Sequence, residues 1–85
     1  MQIPENHEVV GRFFDAVNAM KESGKIRGKK TICDECGIDR RNYYHLEQDH
    51  SRAIFQVCWL SHLVIKYHIS ADWLLTGRGE MLKKK

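Results

Sequence analysis

The chain has 85 residues, of which 42% are hydrophobic and 29% are charged, and its formal net charge is +3 at pH 7. A chain of this length supplies the core of one small domain and leaves no room for a second. A single proline and an ordinary charge content exclude a disordered, collagenous or low-complexity protein. We therefore expect one globular domain over residues 1–85, with a core from about 9 to 81 and a basic tail at 82–85.

The first predicted element is an amphipathic helix over residues 6–22, because apolar side chains recur there at intervals of three and four residues. Asn6 is the expected N-cap of this helix. The Ser23-Gly24 pair is its expected end, since glycine readily takes the left-handed conformation that closes a helix.

Two short helices are predicted next, one over residues 29–36 that ends at Gly37 and one that Asp39 caps and that runs to about Gln48. A start of the first of these at Thr31 remains an alternative, because Thr31 and Asp34 resemble a capping box. The helix after Asp39 has an inner and an outer face. The inner face holds Tyr43, Leu46 and Glu47, and the outer face holds Arg41, Tyr44, His45 and Gln48.

The stretch from Ile54 to Tyr67 is the most apolar of the chain, and it is predicted to be the most buried helix. Its expected core residues are Val57, Leu60, Leu63, Val64 and Tyr67. Ser70 is the expected cap of a last short helix, Ala71 to Thr76, with Trp73 and Leu74 as core anchors. No segment alternates with a period of two, so the predicted fold class is all-α with five helices.

The sequence excludes a membrane span, since the apolar stretch from Ile54 to Ile65 is interrupted and is shorter than the roughly 20 apolar residues required. The first fifteen residues hold three acids and one arginine, which is not the pattern of a signal peptide. We therefore expect a cytoplasmic protein. Three cysteines without a secretory signal indicate reduced thiols and no disulfide framework.

Positive charge is concentrated between Lys21 and Lys30, where five basic residues stand against one acid. Such a run is compatible with a solvated surface and with a surface that binds a polyanion.

Two segments carry a resemblance to a known family: KKTICDECGIDRRNYYHLEQ, from Lys29 to Gln48, and ISADWLLTGRGEM, from Ile69 to Met81. They resemble the DNA-binding domain of lambda-type phage repressors and Xre-like bacterial regulators, over roughly residues 9–81. The most specific part is WLLTG, from Trp73 to Gly77. The resemblance implies a compact five-helix domain in which residues 29–48 form a helix-turn-helix, with a positive φ at Gly37 and a buried small residue at Cys33.

The resemblance also implies the function of a sequence-specific regulator that binds double-stranded DNA, as a repressor that occludes a promoter. Matched position by position, the base contacts are Arg40, Arg41, Asn42 and His45. The phosphate contacts are Lys29, Lys30, Tyr44 and Arg52. Arginine pairs with guanine and asparagine with adenine, so we expect a guanine-containing half-site, with phosphate contact alone as the alternative for the two arginines.

The family acts as a dimer on two half-sites, and we expect a homodimer whose interface involves residues 73–82. The chain departs from the family pattern at Asp49, where glycine is common, and at His68, which replaces another glycine. The loop from Asp49 to Ala53 also lacks the usual proline, so its shape stays open. His68 is expected to take the left-handed conformation at some cost.

Particular residues raise three other possible functions. Cys33 and Cys36 with His45, His50 or Cys58 would make a zinc site, but a single CxxC motif is weak evidence for one. Cys58 with His62 would make a nucleophile and base, but a core position is the simpler explanation for Cys58. We expect no enzyme, cofactor, metal or small-molecule substrate. The alternative function is a protein-interaction module of the same fold, an antitoxin or adaptor that binds a partner through Arg41, Tyr44 and His45.

Overall fold

The computed structural model describes residues 5–82. Five α-helices occupy most of this range: α1 Asn6–Glu22, α2 Lys29–Cys36, α3 Arg40–Gln48, α4 Val57–Tyr67 and α5 Ala71–Thr76. Within residues 5–82, β-type pairing is limited to an isolated antiparallel bridge between Ile69 and Leu82. The predicted all-α architecture is therefore confirmed for the described part of the chain. Of the predicted basic tail, residues 83–85 lie outside it.

Helix α1 forms the centre of the core and packs against α2 and α5. Its buried residues are Val10, Phe13, Phe14, Ala16, Val17 and Met20. The spacing of these residues is the three-and-four periodicity seen in the sequence, so one side of α1 is apolar along its whole length. The radius of gyration is 12.3 Å, close to the roughly 12 Å expected of a folded chain of this length.

The prediction that the fourth helix is the most buried was wrong. Helix α4 begins at Val57 and not at Ile54, and it buries three residues, Trp59, Leu60 and Leu63. Val57 is 74% exposed and Ile65 is 77% exposed. Apolar side chains lie on more than one side of α4, but the core covers only the side that carries Trp59, Leu60 and Leu63.

An aromatic cluster joins α3 and α4 to α1. The ring of Phe14 meets that of Tyr43 edge-to-face, with centroids 5.0 Å apart. Phe13 meets Phe55 in the same way at 5.4 Å, and Phe55 meets Trp59 at 5.1 Å. Each such pair stabilises a fold by about 0.5–1.5 kcal/mol beyond the burial of its surface. The cluster therefore holds the inner face of α3 firmly on the core.

Side-chain caps mark the starts of α3 and α5. Asp39 accepts hydrogen bonds from the backbone N–H groups of Arg41, at 2.8 Å, and Asn42, at 3.2 Å, which confirms it as the N-cap of α3. Ser70 accepts from the N–H of Trp73 at 3.2 Å, which confirms the cap of α5. Helix α2 begins at Lys29, so the alternative start at Thr31 was wrong.

The predicted N-cap of α1 was also wrong, because Asn6 is the first helical residue and Glu5 precedes it as the cap. The backbone N–H of Glu5 donates to the carboxylate of Glu8 at 3.2 Å. This reciprocal use of the residue three positions on is the capping-box arrangement. Glutamate is an uncommon cap, so the sequence favoured Asn6.

The connection between α2 and α3 is a tight turn. Gly37 takes the left-handed conformation, with φ 68° and ψ 34°, as the sequence predicted. The N–H of Ile38 donates to the carbonyl of Cys33 at 2.8 Å, and both side chains are buried. Residues 37–39 thus form the whole connection, and α3 packs against α2.

His68 and Arg12 help to position α5. His68 ends α4 in the left-handed conformation, with φ 59° and ψ 31°, as expected. The following residue, Ile69, is fully buried. The guanidinium Nε of Arg12 donates to the carbonyl of Leu74 at 2.8 Å and so ties α1 to α5. Leu74 is buried as predicted and Trp73 is half-buried against the core.

None of the helices within residues 5–82 combines the length and the apolar content that crossing a membrane requires.

Candidate nucleic-acid interface

The outer face of α3 is a largely polar surface along a helix whose inner face is buried in the core. Tyr43 and Leu46 on the inner face are 3% and 0% exposed, and burial raises the pKa of the Tyr43 hydroxyl. The opposite side carries two of the predicted base-contacting residues, Arg41 and His45, and Arg40 and Asn42 flank it in the first turn of the helix. Arg40, Arg41 and Asn42 are exposed and His45 is half-buried. Burial of one face therefore turns these guanidinium, amide and imidazole groups outward.

Among residues 5–82, no hydrogen bond or ion pair engages the side chains of Arg40, Arg41 or Asn42. Their donors are thus available to a ligand. Tyr44, predicted as a phosphate contact, is 57% exposed, and its ring meets that of His45 edge-on with centroids 5.8 Å apart.

Lys30 and Arg52 border this face on either side in the chain, and both are exposed. Lys30 lies in the first turn of α2, and Arg52 lies in the loop between α3 and α4. The N–H of Arg52 donates to the carbonyl of Asp49 at 3.3 Å. Exposed cations such as these can bind the oxygens of an anionic backbone.

The loop after α3, whose shape the sequence left open, is closed by Asp49. Its carboxylate accepts from the Ser51 hydroxyl at 2.6 Å and from the Ser51 N–H at 3.1 Å. These two hydrogen bonds lower the pKa of Asp49. Asp49 therefore supplies a side-chain turn that closes the loop.

His50 docks the same loop onto α1. Its ring stacks on Phe14, with centroids 5.3 Å apart and an interplanar angle of 19°. A Cβ at Gly11 would lie 3.3 Å from the Nδ1 atom of His50, so the missing side chain leaves room for the ring. The sequence contained a signal for this contact, a glycine inside a helix, which often marks a close approach.

Lys29, the remaining predicted phosphate contact, is engaged within the protein. Its ammonium lies 2.7 Å from Oε2 and 2.9 Å from Oε1 of Glu47. The two side chains are 42% and 19% exposed. The pair joins the first residue of α2 to the last turn of α3.

The carboxylate of Glu35 joins α2 to α4, a contact that was not predicted from the sequence. Its oxygens accept hydrogen bonds from His62 Nε2 at 2.9 Å, from the Tyr67 hydroxyl at 2.7 Å and from Lys66. Partial burial acts to raise the pKa of Glu35, but the hydrogen bonds from Lys66, His62 and Tyr67 together outweigh it and lower the pKa to about 2. The available signal was the i, i+4 spacing of His62 and Lys66 in an otherwise apolar helix.

The cysteines do not converge. Cys33 is buried, as expected, and its pKa is raised by that burial. Cys36 is half-buried, and burial raises its pKa to about 11. Cys58 is exposed, so the expectation of a core cysteine there was wrong, because α4 turns this side to solvent. His62 bonds to Glu35 and not to Cys58, and residues 5–82 contain no group of three or more histidine, cysteine or acidic side chains arranged to hold a metal.

An apolar face, defined by the exposed side chains of Val57, Ile65 and Leu75, covers the outside of α4 and α5. Their exposed fractions are 74%, 77% and 50%. Between the two helices lies a groove of about 260 Å³. Its lining residues are Val57, Leu60, Ser61, Val64, Ile65, Ala71, Leu74 and Leu75. The stretch predicted as the dimer interface, residues 73–82, supplies part of this face, and α4 supplies the rest.

Comparison of the chain with protein-family models, with curated proteins and with solved structures gives no match. The chemistry of the described side chains is therefore what bears on function. Guanidinium and carboxamide groups on an exposed helix can hydrogen-bond to base edges in a major groove. The same groups, with Lys30 and Arg52, can also bind phosphate oxygens.

Proposed function

We propose that this chain is a sequence-specific binder of double-stranded DNA that represses transcription by occluding a promoter. The observation that carries the proposal is the α2–turn–α3 unit, residues 29–48. Two short helices meet at the left-handed Gly37, and the second buries Tyr43 and Leu46 while Arg41 and Asn42 face solvent. In a helix-turn-helix, the second helix lies in the major groove with its N-terminal residues on the bases.

We assign the base contacts to Arg40, Arg41, Asn42 and His45. The first three lie in the first turn of α3, where a recognition helix meets base edges. An arginine can bond to O6 and N7 of guanine, and an asparagine to N6 and N7 of adenine, through two hydrogen bonds each. The absence of an intramolecular partner within residues 5–82 supports this role for Arg40, Arg41 and Asn42.

We assign phosphate contacts to Lys30, Tyr44 and Arg52, whose side chains are exposed. Contacts to phosphate fix the register of a protein on the duplex without reading sequence. Lys29, the other phosphate contact predicted from the sequence, is bound to Glu47 in the free protein and stays a prediction.

We further propose that the protein acts as a homodimer through the apolar face of α4 and α5. A two-fold interface brings the same patch together from both subunits, so it needs projecting and recessed parts of matching chemistry. The apolar face has both, since Ile65 is 77% exposed beside a groove of about 260 Å³. Pairing would remove from water the largest exposed aliphatic side chains of α4 and place two copies of α3 on successive half-sites.

The competing function is a protein-interaction module, an antitoxin or adaptor with weak or no specific DNA binding. Tyr44 is the observation that favours it, because an aromatic side chain that is 57% exposed is typical of protein interfaces. The same outer face of α3 would then dock a partner protein.

Selection of bound sites from a random duplex pool, followed by a salt titration, tests the DNA-binding function. Log affinity should fall linearly with log salt, by about 0.9 for each phosphate neutralised, and the selected sites should share a guanine-containing motif. Affinity that is micromolar or weaker for every duplex and independent of salt would favour the protein-interaction module.

A further inference from the structure

The ion pair between Lys29 and Glu47 lies where the proposed DNA-binding surface begins. Lys29 is the first residue of α2 and Lys30, an assigned phosphate contact, is its neighbour. Both oxygens of Glu47 lie within 2.9 Å of the Lys29 ammonium, and the lysine side chain is still 42% exposed. The pair is therefore close to the anionic ligand, but its net charge is zero.

We propose that Glu47 masks the charge of Lys29 and so lowers the affinity of the α2–α3 unit for DNA of any sequence. This inference rests on the proposed DNA-binding function. An unmasked Lys29 would neutralise one more phosphate, which would strengthen binding to every duplex equally. By withdrawing that cation, Glu47 lowers affinity and salt dependence on every duplex by the same amount. Glu47 thus sets the overall strength of DNA binding without contacting a base.

The pair also has a structural role, because it links the start of α2 to the end of α3. The two roles predict different changes in DNA affinity in a double-mutant cycle of Lys29 and Glu47. Wild type and the double variant Lys29→Met with Glu47→Gln leave the pair neutral, Glu47→Gln leaves it at +1, and Lys29→Met leaves it at −1. A charge mask gives the two single variants effects of opposite sign on binding, whereas a structural link makes both variants weaker.

The experiment measures the affinity of all four proteins for a random-sequence duplex by fluorescence anisotropy between 50 and 200 mM KCl. For Glu47→Gln we expect tighter binding and a slope of log affinity against log salt that is steeper by about 0.9 than the wild-type slope. Over that range its affinity should then fall about 3.5-fold further than that of wild type. Lys29→Met should bind several-fold more weakly, and the double variant should return to the wild-type affinity.

Glu22→Gln is the matched control, because it also removes one carboxylate but at the exposed end of α1. Thermal unfolding of each variant identifies any loss caused by the fold. Steep salt dependence in wild type with an unchanged slope in Glu47→Gln would overturn the mask alone. An equal change in Glu22→Gln would overturn it as well, since the effect would then be one of net charge. A flat salt response of wild type on every duplex would overturn the DNA-binding function and this inference together.

Discussion

The outer face of α3 and the apolar face of α4 and α5 are two exposed surfaces of opposite chemistry. On α3, exposure follows polarity, since Tyr43 and Leu46 are buried and the charged side chains face solvent. On α4, Val57 and Ile65 are more than 70% exposed despite being aliphatic. Contiguous exposed aliphatic side chains are typical of a surface that pairs with another apolar surface. This difference is the basis for proposing two kinds of partner, a polyanion for α3 and a second apolar surface for α4 and α5.

Glu35 connects the two surfaces, because it belongs to α2 and accepts hydrogen bonds from three residues of α4. The position of the α2–α3 unit relative to the apolar face therefore depends in part on one carboxylate. Changes on α3, on the apolar face and at Glu35 can separate the contributions of the three.

The largest effect is expected on the polar surface. Arg41→Ala should weaken binding to a selected duplex by about 1–3 kcal/mol and relax the preference at one base position, because a side chain that reads a base edge is lost. Quantitative binding to the selected duplex and to its single-base variants measures both effects. Arg78→Ala, which removes an exposed arginine beyond α5, is the control and should lower affinity only slightly.

If Arg41→Ala reduces affinity for selected and random duplexes by the same factor, Arg41 contacts phosphate alone. The division of α3 into base-reading and positioning residues would then need revision.

A smaller effect is expected on the apolar face. Ile65→Asp should raise the dissociation constant of the homodimer about tenfold, which is about 1.4 kcal/mol, because a carboxylate would have to be buried in an apolar interface. Sedimentation equilibrium measures this constant. The melting temperature of the monomer should change little, since Ile65 is 77% exposed.

Ile65→Val is the conservative control and should retain most of the self-association. Wild-type protein that stays monomeric at high concentration, both free and on a duplex with two half-sites, would disprove the dimer interface.

The smallest effect is expected at the connection between the surfaces. Glu35→Gln should lower the free energy of unfolding near neutral pH, because the charge that His62, Lys66 and Tyr67 bind is lost. The expected loss is only about 1 kcal/mol, since the side chain is 23% exposed and solvent screens its charge. The pKa of Glu35 is lowered from 4.5 to about 2. Its stabilisation is therefore present above about pH 4.5 and is lost as the pH falls through about 2.

Denaturant unfolding of wild type and Glu35→Gln at pH 6 and at pH 2 checks this prediction. The difference between them should shrink at pH 2, where wild-type Glu35 is half protonated. A difference of the same size at both pH values would mean that the charge of Glu35 is not what stabilises the fold. Glu22→Gln, at the exposed end of α1, again serves as the control.

Local signals predicted much of the α2–α3 unit. The cap at Asp39, the left-handed turn at Gly37 and the inner face of Tyr43 and Leu46 each depend on residues within four positions along the chain. Such features are readable because the interacting groups are covalent neighbours or lie one helical turn apart. The positive φ of His68, by contrast, was expected only from the resemblance.

Contacts between distant parts of the chain were decided only by tertiary packing. Glu47 meets Lys29 across 18 positions, and Glu35 meets His62 across 27 and Tyr67 across 32. The exposure of Val57 and Cys58 likewise depends on where the core ends, and not on the apolar pattern of α4. Periodicity along a helix identifies its apolar side, but how much of that side is covered depends on the helices that pack against it.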